Sequence, residues 1–152
     1  MNHMLSRLYE HLAWADQEVL ESLASTQRPP AEAIKLLGHV LAAERFWLAR
    51  IRREDLSGLV VWPEAQSLDQ CRQRLAENRT GYQSLVAGLG DEDLAATVSY
   101  RTTRGDQFEN ALEDILLHVA LHGAHHRGQI AAMARHVGLE PASTDYILFA
   151  RS

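Results

Sequence analysis

Four of the eight histidines in this 152-residue chain fall within nine positions: His118, His122, His125 and His126. Imidazole is a proton carrier near neutral pH and the commonest protein ligand for transition metals. On a helical wheel with His118 at zero, Leu112, Ile115, Leu116, Val119, Ile130, Met133 and Val137 collect between roughly 60° and 160°. His122 and His126 fall at about 40° and 80°, on or beside that core face. They are four residues apart, so they stack on one face and can converge on one ion. A third ligand must come from a facing helix. His39 is the candidate, because it lies mid-way along an apolar helix and shares its face with Leu36, Ala43 and Phe46.

The donor set narrows the chemistry. Neither Glu-x-x-His nor His-Glu-x-x-His occurs, so a di-iron carboxylate bundle and a zincin are excluded. Three histidines without a carboxylate leave a coordination position open, the mark of a catalytic ion such as Zn²⁺ or Ni²⁺. Such an ion acidifies bound water or a thiol. The plain alternative is a set of core histidines satisfied by hydrogen bonds.

The elements that must position these residues can be read from periodicity. Leu5, Leu8, Leu12, Ala15, Val19 and Leu23 form one stripe of a first helix. After Arg28-Pro29-Pro30 a second helix runs from about Ala31 to Arg53, apolar on most sides. Glu54 to Ala65 shows no helical period and is long for a helix–helix turn. Ser67 and Gln70 form a capping box for a third helix with the stripe Leu68, Cys71, Leu75, Asn78, Tyr82, Leu85 and Leu89, closed at Gly88-Leu89-Gly90. Thr97 to Phe108 reads as a short β-hairpin or ordered loop. Asp106 with Glu109 reads as the cap of a fourth helix, which ends near Val137 at Gly138. The tail from Ser143 is irregular, with apolar residues that pack back on the body. Two long links among four helices predict an all-α four-helix bundle with up-down-down-up topology, one domain spanning residues 1–152.

Composition sets the outer bounds. Apolar residues make up 46% and charged residues 23%, ordinary globular values, and the net charge is −5. That balance argues against nucleic acid as the main partner. Cys71 is the one cysteine, which excludes an intramolecular disulfide and a cysteine-rich zinc site. No stretch is apolar enough to span a membrane, and Arg7, Glu10 and Asp16 interrupt the N-terminal apolar residues, so a cytoplasmic protein is expected.

The run His118-x3-His122-x2-His125-His126-Arg127-Gly128-Gln129-Ile130 resembles the signature of the DinB/YfiT-like family of metal-dependent enzymes. Leu37-Gly38-His39 through Phe46-Trp47, Trp14-Ala15-Asp16 and Ser143-Thr144-Asp145 are also similar to that family, so the likeness covers essentially the whole chain. The resemblance implies an up-down-down-up bundle, a homodimer, and a divalent ion held by His39, His122 and His126. It further implies S-transferase or isomerase chemistry with a low-molecular-weight thiol as cosubstrate. The name's reference to DNA damage concerns regulation and implies no DNA binding.

Other residues carry lesser expectations. Gln129, at about 20° on the wheel, is placed to hydrogen-bond a ligand histidine or a substrate. His118 and His125 are candidate general bases, against the plainer reading of solvated histidines. Asn78 and Tyr82 either face the site or fix helix register. Arg127 lies opposite His118 on the wheel, and Cys71 is inert packing. Leu117, Leu121, Ala124, Gly128 and Ala131 form a second stripe suited to a dimer seam. The leading expectation is a metal-dependent enzyme activating a small thiol for attack on a small-molecule electrophile. A metal-dependent hydrolase, a non-catalytic metal-binding stress-response module, and a purely structural bundle are the alternatives.

Overall fold

The structure, a computed structural model, describes residues 3–64 and 66–152. Four long helices carry the fold: α1 (His3–Ala24), α2 (Ala31–Arg52), α3 (Leu68–Ala87) and α5 (Leu112–His136). Between α3 and α5 lie a short α4 (Asp91–Ala95) and two strands, β1 (Thr97–Arg101) and β2 (Gln107–Ala111). The tail forms α6 (Tyr146–Phe149).

Side-chain contacts fix the helix directions. Tyr9 reaches Leu116 and Asp16 reaches Arg127, so α1 and α5 run parallel. Asn78 reaches Leu41 and Arg52 reaches Gly81, so α2 and α3 run parallel as well. His39 meets His122 while Trp47, two turns on, meets His118, so α2 and α5 are antiparallel. The bundle is therefore up-down-down-up. Around it, α1 packs on α3, α3 on α2, and α2 on α5.

The expected stripes form the core. Ser67 accepts from the Gln70 backbone while the Gln70 side chain accepts from the Ser67 backbone, the capping box that opens α3. One apolar cluster gathers Tyr9, Leu12, Leu48, Tyr82 and Leu116. The other gathers Leu20, Leu37, Leu41, Leu75 and Ile130 around the buried Cys71. On every long helix a polar residue stands between the two: Asp16, Glu44, Asn78 and Arg127, all at most 3% exposed.

Some sequence expectations fail here. Asp106 and Glu109 do not cap a helix. Gln107–Ala111 pairs antiparallel with Thr97–Arg101, and the fourth long helix begins only at Leu112. Strand pairing satisfies backbone groups over the whole segment, whereas a cap satisfies only a first turn. Val137 lies past the end of α5 and is 54% exposed. Arg127 is buried rather than turned to solvent, because Asp16 on α1 meets it at 2.7 Å. The tail is partly helical and does pack back: His11 bonds Thr144 O at 2.8 Å and its ring meets Tyr146 and Phe149. Among the described residues no helix is long and apolar enough to cross a membrane.

Candidate metal centre

Helix α2 delivers His39 and α5 delivers His122 and His126, and one ring nitrogen from each lies within 4.8 Å of the others. His39 Nε2 stands 3.3 Å from His122 Nε2, and His126 Nε2 stands 3.1 Å from it. The far side of each outer ring is fixed. His39 Nδ1 donates to Val61 O at 2.8 Å, and His126 Nδ1 donates to Gln129 Oε1 at 2.6 Å.

These partners decide the tautomers. A carbonyl and an amide oxygen only accept here, so both outer rings carry their proton on Nδ1 and turn an Nε2 lone pair inward. His122 Nε2 can satisfy one of those lone pairs with a hydrogen bond, not both. Burial, with the neighbouring His126 and His39, pushes His122 down to about 4, so this ring is neutral at physiological pH. Burial likewise lowers His39, against the opposing effect of its bond to Val61. Imidazoles with converging lone pairs suit a cation. Two nitrogens on one tetrahedral zinc ion stand about 3.3 Å apart. The residues present fit a divalent ion.

The link between α2 and α3 builds the outer wall. The indole of Trp62 lies flat on His39, with ring centroids 3.4 Å apart and planes 5° from parallel. Gly38 permits this approach. A Cβ there would meet Gln66 Cγ at 2.9 Å, so a larger residue would push the link away from His39. Sequence periodicity had no means to find Trp62 or the Val61 carbonyl, because the segment has no period. The glycine beside a mid-helix histidine was the available signal.

The remaining expected residues divide. Gln129 touches His126. His118 is exposed, its ring 5.7 Å from that of His122 and 5.5 Å from that of Trp47. His125 is exposed and its ring lies 5.1 Å from that of His126, outside the cluster. Asn78 and Tyr82 turn away from the histidines. Asn78 Nδ2 donates to Leu41 O and Glu44 Oε2, and Tyr82 OH donates to Glu44 O. Burial, with the Asp16 charge, holds the Glu44 carboxyl well above the usual range. Glu44 Oε1 and Asp16 Oδ2 take no donor from the surrounding protein among the described residues, while Arg127 Nη1 donates to Asp16 Oδ1. Gly123 leaves room for that arginine, since a Cβ there would come within 2.8 Å of Arg127 Nη1. Burial pushes the Cys71 thiol up to about 11, and it remains inert packing.

The family model "DinB family" matches residues 1–152. The chain belongs to the DinB family. Two Bacillus subtilis proteins show the relationship in sequence. Protein DinB is 24% identical over 164 residues, covering 98% of this chain and 95% of its own. The uncharacterized protein YizA is 26% identical over 136 residues, covering 88% of this chain and 83% of its own. The crystal structure of a DinB-like protein from Bacillus cereus superposes with a TM-score of 0.64 at 19% identity, over 89% of this chain and 91% of that one. The all-α bundle described above is thus a DinB-like fold, with three histidines that could hold a metal ion.

Proposed function

We propose that this DinB family member is a metal-dependent enzyme that activates a low-molecular-weight thiol for transfer to a small electrophile. The observation that carries the reading is the convergence of three imidazole nitrogens, with no carboxylate among them, inside one wall of the bundle. A divalent ion bound there, zinc or nickel, would supply Lewis-acid chemistry and lower the pKa of a thiol or water placed beside it.

The chain's own groups take the other roles. His39, His122 and His126 hold the ion. Val61 O and Gln129 fix the outer rings in the ligating tautomer. Trp62 covers one face of His39 and keeps water from it. His118, exposed beside His122, is placed to take a proton from an entering thiol. A homodimer belongs to the same reading, supported by Leu117 and Leu121, which stand 49% and 61% exposed on α5.

Elemental analysis of untagged protein tests this, together with His39→Ala and His126→Ala variants and an assay of thiol consumption with a small electrophile. About one divalent ion per chain, lost in both variants along with thiol transfer, is the expected result. Absence of metal from the parent and unchanged variants would overturn the reading. Turnover without added thiol would replace transfer with hydrolysis.

A further inference from the structure

Arg50 is the arginine whose surroundings the metal centre leaves unexplained. Its guanidinium carbon lies 4.5 Å from the ring centroid of Phe46, 4.6 Å from that of Trp47 and 4.8 Å from that of Tyr100 on β1. Nη2 donates to Arg101 O at 2.7 Å. Nε is buried without a hydrogen-bond partner, and Nη1 makes no hydrogen bond among the described residues. Other arginines packed on the bundle meet carboxylates: Arg45 pairs with Glu54, Arg72 with Glu21 and Arg127 with Asp16. Arg50 has no such partner among the described residues. Burial lowers its pKa, the direction expected for a cation stripped of water without a countercharge.

This cation lines a cleft of about 280 Å³ between α2 and the hairpin, with Trp47, Val61, Tyr100, Thr102 and Thr103 around it. A second cleft of about 250 Å³ shares Trp47 and Tyr100 and adds His118. Both abut the histidine centre, because the Val61 carbonyl holds His39 and the His118 ring adjoins His122. The guanidinium rests on Phe46 and Trp47, whose backbone lies about two turns beyond His39, about 11–12 Å along the helix axis at 1.5 Å per residue.

We infer that this cleft binds a carboxylate on the molecule processed at the histidine centre, with Arg50 as the anion partner and Trp47, Tyr100 and Phe46 as the apolar walls. The substrate class is a small carboxylic acid. The connection to the histidines rests on the metal reading above; the anion site does not.

Benzoate and its neutral isostere benzyl alcohol probe the cleft, followed through the Trp47 indole and Arg50 side-chain N–H signals by NMR. The titration uses metal-loaded and metal-free protein at low salt. Benzoate should bind at least ~10-fold more tightly than the alcohol, since a charge-assisted pair adds roughly that factor. The preference should vanish in Arg50→Met and in Arg50→Gln, the latter keeping a donor for Arg101 O. Metal content should stay at the parent level in both. Equal binding of the two probes, or a preference that survives both variants, would overturn the inference. If both variants unfold, the parent decides: the Arg50 N–H signals must move with benzoate and not with the alcohol. Because metal-free protein reports the same contact, failure of the metal reading and failure of the anion site are separate results. Glutathione that displaces benzoate from the loaded protein assigns the carboxylate to the thiol, and glutathione that binds beside benzoate assigns it to the acceptor.

Discussion

Arg127 on α5 and Asp16 on α1 pair at 2.7 Å in the middle of the bundle, their side chains 2% and 1% exposed. Removing one member leaves a buried charge uncompensated. Arg127→Leu should therefore cost about 3–5 kcal/mol. Urea unfolding of the metal-free protein measures it. The double variant Asp16→Asn, Arg127→Leu should recover part of the loss, because it removes the stranded charge.

Glu44 stands in the same buried layer. Its folded pKa is raised above its unfolded value, chiefly by burial. The folded state thus holds a proton that the unfolded state releases, and stability falls as pH rises through the folded pKa. Glu44→Gln removes this titration and keeps an acceptor for Asn78. Melting temperature recorded from pH 7 to pH 9, above the range in which the lowered histidines titrate, should decline in the parent and stay flatter in this variant.

His122 titrates in the opposite sense. Its folded pKa of about 4 lies below the ordinary value of 6.5. The unfolded chain then binds the extra proton first, so the His122 contribution to the stability of metal-free protein is full above about pH 6.5 and lost progressively toward pH 4. His11 and His39, also lowered, act in the same direction. His122→Gln should shallow this acid slope without abolishing it, as thermal melts in chelator will show.

Gln129 bonds the far nitrogen of His126 at 2.6 Å. Gln129→Leu removes the acceptor that sets the tautomer. Metal affinity should fall roughly 10–100-fold with the fold intact, as for other partners behind a ligand histidine. Competition with a calibrated chelator measures the change, and unchanged affinity would show that the ring needs no such support.

Self-association can be checked on the exposed α5 stripe. In the proposed homodimer, Leu121→Glu, which places a charge at a residue 61% exposed, should convert a sedimenting dimer into a folded monomer, and a parent that sediments as a monomer would remove the dimer from the proposal.

The histidine spacing and the apolar stripes carried most of this architecture in plain view. An i, i+4 pair beside a core face has few places to point, and long links after α2 and α3 allow few topologies. Arg127, Asp106 and Glu109 misled for identifiable reasons. Arg127 sits at the edge of the helical wheel's core sector, and a charge there reads as exposed until its partner on another helix is known. Asp106 and Glu109 have the spacing of a helix cap, but their backbone had a strand to pair with. For Asn78, which shares the apolar stripe of α3, the choice between facing the site and fixing the helices was settled by Leu41 and Glu44, the latter 34 positions away. Trp62 and Val61 belong to an aperiodic segment whose course is decided by tertiary contact alone.

The link between α2 and α3 is tethered unevenly along its length. Glu54 is held at its start by Arg45 at 2.6 Å, and Val61, Trp62 and the Ser67 cap fix its end. The stretch 55–60 between these anchors bonds mainly to itself, through Asp55 with Ser57 and a turn at Gly58 with φ of +80°. Lengthening a loop costs little, only about 0.6 kcal/mol per doubling. New residues can therefore enter at 55–60 while the histidines stay in register. An added residue between Val61 and Ser67 would instead displace Trp62 from His39. The link thus joins a stretch whose length is free to change to one whose length is fixed by the ring it covers.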